Sequence, residues 1–182
     1  MPANVEIKAR LHDRGSMLEK IAALTAAAAV VLEQEDTFFR CSRGRLKLRA
    51  FPDGSGELIF YQRPDTAVSR ESHYEISRIS DAATLRTVLA AALGGMQTVT
   101  KTRLLFHVGQ TRIHVDTVAG LGDFLELEVV LAPGQPPSEG HRIAASLMEQ
   151  LGIVPGDLLE TAYADMLSAG GCTASRPAAD VC

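Results

Sequence analysis

The sequence predicts an α+β protein, a closed antiparallel β-barrel flanked by helices. Three observations carry that expectation. Segments that alternate polar and apolar residues recur along the chain, the period of a strand with one buried face. Nearly every long one gathers Arg, Lys or Glu on a single side. Between them lie stretches with apolar residues at helical spacing.

In chain order, residues 4 to 11 set Asn4, Glu6, Lys8 and Arg10 against Val5, Ile7, Ala9 and Leu11, a strand pattern. Residues 14 to 28 read as a helix, and a second strand is expected near 30–40. From Arg45 to Ala50 the odd positions are basic and the even ones apolar; turn residues Pro52 to Gly56 then lead into Leu58 to Arg63, which makes a hairpin. A strand near 72–78 precedes a helix over Asp81 to Leu93. Lys101 and Arg103 share a face opposite Thr102, Leu104 and Phe106. After a turn at Gly109, Arg112, His114 and Asp116 oppose Ile113 and Val115, a second hairpin. Gly120 and Gly122 form a turn, since they open no helix. Glu126 and Glu128 then alternate with Leu125, Leu127 and Val129. Helices are expected over Ser138 to Leu151 and Asp157 to Leu167. The count comes to about eight strands. Residues 1–169 read as one domain, and 170–182 as a disordered Ala/Ser/Gly/Pro tail without apolar period.

The bulk properties narrow the function. With 182 residues, 46% hydrophobic and 22% charged, the chain can bury a substantial core. A net charge of −4 provides no overall basic field for nucleic acid or an anionic membrane, so an anion site has to be local. The longest apolar run, Ile21 to Leu32, is about a dozen residues where a membrane crossing needs about 20. No secretory signal is read at the N-terminus, and a cytoplasmic location is expected. Cys41, Cys172 and Cys182 lack metal-ligand spacing. The histidines show no paired ligand spacing for zinc; His114 stands out only because it shares a face with Arg112 and Asp116, where it could act as acid or base. No P-loop or nucleophile elbow is present.

A charged strand face is by default a solvated one. Repetition argues against that default here. If the apolar faces pack under helices and the charged faces converge, the barrel interior is crowded with cations, and a polyanion relieves the repulsion. A triphosphate requires several guanidinium and ammonium donors, and a hard cation bridging its oxygens requires carboxylates. The basic set is Lys8, Arg10, Lys47, Arg49, Arg63, Lys101, Arg103 and Arg112; the acidic set is Glu6, Asp116, Glu126 and Glu128.

The segment Asn4-Val5-Glu6-Ile7-Lys8 resembles the ExExK signature of the CYTH domain, the triphosphate tunnel metalloenzymes, which include class IV adenylyl cyclases, thiamine triphosphatases and tripolyphosphatases. Blocks 44–49, 61–65, 101–103 and 120–128 resemble family blocks in family order. The resemblance implies an eight-stranded antiparallel tunnel. It implies Mg²⁺ or Mn²⁺ held by Glu6, Glu126 and Glu128, with Asp116 a fourth or outer carboxylate. Lys8, Lys47, Arg49, Arg63, Lys101, Arg103 and Arg112 would contact phosphate, and Lys8 would help orient or activate the nucleophile. Asn4 replaces the first signature glutamate, which weakens any second metal site. The expected substrates are tripolyphosphate, ATP or thiamine triphosphate, with hydrolysis favoured over cyclisation of ATP to cyclic AMP and pyrophosphate, and a non-catalytic phosphate-binding module as a third reading. No nucleic acid or membrane partner is expected; a homodimer is a base-rate expectation.

Overall fold

A computed structural model of the chain describes residues 3–62 and 70–170. Arg63 and the expected tail beyond Gly170 lie outside them. The described residues form eight strands: β1 (Ala3–Arg10), β2 (Val30–Phe39), β3 (Arg45–Ala50), β4 (Gly56–Gln62), β5 (Arg70–Ile79), β6 (Gly95–Val108), β7 (Thr111–Val118) and β8 (Gly122–Val130). Four helices accompany them: α1 (Arg14–Leu24), α2 (Ala82–Leu93), α3 (Pro137–Leu151) and α4 (Tyr163–Gly170). The strands close into an antiparallel barrel in the order β1-β5-β4-β3-β2-β6-β7-β8, and β8 returns to β1.

Strand parity decides what faces where. Ile7, Ala9, Ile113, Val115, Leu125 and Leu127 point outward from β1, β7 and β8 into a core completed by Met17 and Ile21 of α1 and Leu147 and Leu151 of α3. Each fully buried large aliphatic side chain of this kind contributes about 1.5–3 kcal/mol. The opposite parity points inward, so the charged faces do converge. Helix α3 lies close to β1 because Gly140 has no side chain: a Cβ there would sit 2.7 Å from both Val5 Cγ2 and Leu131 Cδ2.

Helix ends follow local chemistry. Asp13 and Asp81 cap α1 and α2, each accepting at 3.0 Å from the backbone N–H three residues on, of Ser16 and Thr84. Helix α1 ends at Leu24 and not near 28, because Thr25 turns extended and its hydroxyl accepts from Ala27 N at 3.2 Å, a local bond that competes with the helix.

The last helix also differs from the sequence expectation, beginning at Tyr163 and not at Asp157. Among the described residues, β5 pairs with β1 from Ala3 to Glu6. Leu158 and Leu159 pair with β1 beyond it: Leu158 bridges to Ala9, and Leu159 N donates to Lys8 O at 2.9 Å. Asp157 serves instead in a short 3₁₀ turn, Pro155–Asp157, where its carboxylate accepts from Val154 N at 3.3 Å.

Candidate functional site

The barrel encloses a cavity of about 430 Å³ into which every strand contributes. Strand β1 supplies Asn4, Glu6 and Lys8; β2 Gln34 and Asp36; β3 Lys47 and Arg49; β6 Lys101 and Arg103; β7 Arg112 and His114; β8 Glu126 and Glu128. Nine residues of the basic and acidic sets therefore meet in one space with His114: Glu6, Lys8, Lys47, Arg49, Lys101, Arg103, Arg112, Glu126 and Glu128. Arg10 does not line it; it is exposed, with its guanidinium 5.1 Å from the Phe124 ring centroid. Asp116 is fully buried but lies beneath Arg103, which donates to its two oxygens at 2.6 Å each, while Tyr163 donates to Oδ2 at 3.2 Å.

One group of contacts gathers cations around a carboxylate that the alternation pattern did not single out. Asp36, 1% exposed, accepts from Lys47 Nζ at 2.9 Å, Lys101 Nζ at 2.8 Å and Arg49 Nε at 2.9 Å. Burial alone would raise its pKa, but Arg49, Lys101 and Lys47 hold it well below the ordinary carboxylate range. Burial lowers the Lys47 ammonium to about 7, with Asp36 opposing the shift and Arg49 and Lys101 adding to it. Burial likewise lowers Lys101.

The second group is built on the β7–β8–β1 register, which pairs His114 and Lys8 with Glu126, and Arg112 and Glu6 with Glu128. Lys8 Nζ lies 3.2 Å from Glu126 Oε1 and 3.6 Å from the centre of the Tyr163 ring. Arg103 donates to Glu126 Oε2 at 2.7 Å, and Arg112 to Glu128 Oε2 at 2.9 Å. Burial would raise Glu126, yet Lys8 and Arg103 hold it well below the usual range; Glu128 is lowered against burial by His114 and Arg112. Burial lowers His114, helped by Arg103 and opposed by Glu128 and Glu126. Donor atoms of His114, Glu126 and Glu128 all lie within 4.8 Å of one another, a group that could hold a metal ion.

Tyr163 had no signal in the sequence, since it falls inside a segment with helical spacing. Its ring closes the site beside Lys8, and burial raises its phenol well above the usual value, which keeps it a proton donor to Asp116. An apolar and aromatic wall, Phe38, Phe51, Ile59, Tyr61, Tyr74 and Ile76, completes the cavity on the β2 to β5 side. Among the described residues, no helix is long and apolar enough to cross a membrane.

Comparison with known proteins agrees with this architecture. A protein of Pyrococcus horikoshii superposes with a TM-score of 0.80 at 22% identity, over 89% of this chain and 98% of its own. A candidate adenylate cyclase from Vibrio parahaemolyticus gives 0.69 at 19%, covering 91% of this chain and 97% of that one. A candidate adenylyl cyclase from Hippeastrum, reported with a dominant triphosphatase activity, gives 0.62 at 14%, covering 94% and 96%. No curated protein matches this chain. The family model for the CYTH domain matches residues 2–163, a range that takes in all eight strands, and the chain therefore belongs to the CYTH domain family.

Proposed function

We propose that this chain is a divalent-metal-dependent enzyme that hydrolyses a triphosphate held inside the barrel, either inorganic tripolyphosphate or an organic triphosphate such as ATP or thiamine triphosphate. The observation that carries this reading is the division of the cavity wall into cations gathered on Asp36 and carboxylates gathered with His114. The first group suits phosphate oxygens. The second suits a cation that bridges them.

The residues fit a metal on their chemistry. Glu126 and Glu128 are kept ionised, and Glu6 lines the same cavity as the register partner of Glu128. Mg²⁺ or Mn²⁺ at this place would neutralise phosphate charge and polarise the bond to phosphorus. The chain's own residues do the rest. Lys47, Arg49 and Lys101 bind the end of the polyphosphate near Asp36, and Arg103 and Arg112 reach from carboxylates toward the phosphorus under attack. Lys8, fixed between Glu126 and the Tyr163 ring, orients the attacking water, and Glu6 is the carboxylate that takes its proton. Catalysis is then mostly positioning and electrostatic stabilisation.

The aromatic and apolar wall favours a second reading, since it offers a surface on which a nucleobase could lie. In that reading the enzyme is a class IV adenylyl cyclase, and the ribose 3′-hydroxyl of ATP displaces pyrophosphate. The candidate cyclase of Vibrio parahaemolyticus supports keeping it, whereas the Hippeastrum protein, with its dominant triphosphatase activity, supports hydrolysis.

The test incubates the purified chain with tripolyphosphate, ATP or thiamine triphosphate, each with Mg²⁺ or Mn²⁺ and then with a chelator. Metal-dependent release of orthophosphate without cyclic AMP establishes the hydrolase. Cyclic AMP with matching pyrophosphate establishes the cyclase. Triphosphate binding that survives the chelator without turnover replaces both with a phosphate-binding module.

A further inference from the structure

We propose that His114 is itself a metal ligand through Nδ1, making a mixed nitrogen-and-carboxylate site that selects a first-row transition ion such as Mn²⁺, Co²⁺ or Zn²⁺ over Mg²⁺. The proposal rests on the reading of the barrel as a metal-dependent site, and it concerns a residue that the sequence suggested only as an acid or base.

The imidazole is 4% exposed, and its Nδ1 is a buried polar atom with no hydrogen-bond partner. A ring nitrogen is rarely left so in a folded protein. It lies 3.8 Å from Glu126 Oε2 and 3.7 Å from Glu128 Oε1. Those separations are too long for a hydrogen bond. They are close to what a shared ion demands, since tetrahedral neighbours bonded at about 2.1 Å stand about 3.4 Å apart.

A protonated imidazole donating to the glutamates is the competing account. The geometry disfavours it, because both separations exceed hydrogen-bond reach while Lys8, Arg103 and Arg112 make closer charge-assisted contacts to the same carboxylates. Each carboxylate oxygen engaged by one of those donors keeps a further lone pair for a metal. The register also fixes the group: His114 pairs with Glu126 across β7 and β8, so ring and carboxylate project from neighbouring strands on the same inner face. The selectivity follows from ligand type. Mg²⁺ takes oxygen ligands and holds its waters, whereas first-row ions accept imidazole, with an affinity that rises in the Irving–Williams order from Mn²⁺, the weakest, through Co²⁺.

The whole chain, without triphosphate, is titrated with Mn²⁺ and followed by electron paramagnetic resonance, with Mg²⁺ as competitor. Bound Mn²⁺ should show electron spin echo modulation from a directly coordinated ¹⁴N, and Mg²⁺ should displace it only at about tenfold or greater excess. His114→Asp, which substitutes an oxygen ligand, should lose the nitrogen modulation and reduce the preference for Mn²⁺ by about tenfold. Mn²⁺ bound without nitrogen modulation, or no Mn²⁺ binding at all, overturns the proposal; the wild-type spectrum decides this even if the variant fails to fold. Hydrolysis is assayed separately. Nitrogen-coordinated Mn²⁺ in a chain that turns over no triphosphate supports this ligand assignment and removes the enzymatic reading, while hydrolysis with an all-oxygen spectrum does the reverse.

Discussion

Asp36→Asn tests the cationic end of the barrel most directly. The substitution keeps the shape of the side chain and removes the charge that meets Lys47, Lys101 and Arg49 at 2.8–2.9 Å. At an effective dielectric near 20, each such pair is worth about 4 kcal/mol of Coulomb attraction at 4 Å separation, before desolvation is counted. Desolvation cancels much of that for the intact group. Removing one partner leaves the others buried and uncompensated, and that costs about 3–5 kcal/mol. For a domain of this size, about 2–4 °C is lost per kcal/mol, so the melting temperature should fall by roughly 6–20 °C. Tripolyphosphate should reverse part of the loss by supplying the missing negative charge, and its binding should be tighter in the variant than in the wild type. Thermal denaturation with and without millimolar tripolyphosphate reads both effects. A variant that melts with the wild type, or that is destabilised but gains no more from tripolyphosphate than the wild type does, refutes the view that Asp36 holds these cations where a polyanion binds.

Three further outcomes are expected. Glu126→Gln should abolish metal-dependent turnover and leave the circular dichroism spectrum unchanged, and a wild-type rate in that variant would remove Glu126 from the metal group. Lys47 titrates near 7 in the folded chain against 10.5 unfolded, so affinity for tripolyphosphate should weaken as pH rises through 7, whereas the unfolded chain binds the extra proton between those values and stability should rise with pH across that window. Calorimetric titration and denaturation from pH 6 to 9 check both signs, and Lys47→Arg should flatten each profile; unchanged profiles would show that Lys47 stays protonated. Gly140→Ala forces a methyl to within 2.7 Å of Val5 and Leu131 and should cost about 1–3 kcal/mol; an unchanged denaturation midpoint would mean that α3 does not press on β1.

Much of this was legible from period alone, because a strand's alternation records parity, and parity decides inside from outside in a closed barrel. Parity does not record depth. Arg10 has the same parity as Lys8 but stands at the strand end, where its guanidinium reaches solvent over Phe124. Asp116 has the parity of His114, yet it is covered by Arg103 and Tyr163. Asp36 was missed for a different reason: Glu33, Gln34, Glu35 and Asp36 are polar on both faces, so alternation cannot tell which carboxylate turns inward. Only the pairing of Asp36 with Arg49 across β2 and β3 reveals it. The late start of α4 was hidden because the pairing of Leu158 and Leu159 with β1 is a property of the assembled sheet.

The position of β1 also governs how the chain comes to be made. Its two partners are β5, which begins at Arg70, and β8, which begins at Gly122, so the first strand is synthesised long before the last of its neighbours. At about 5–20 residues per second, β1 waits roughly 5–25 s for β8, with one unpaired backbone edge and the apolar face of Val5, Ile7 and Ala9 uncovered. A nascent chain that stops before Gly122 should therefore recruit holding chaperones and expose a cysteine placed at Val5 to alkylation, whereas one extended through α3 should protect it. Equal protection in both would mean that the barrel shelters its first strand before it can close.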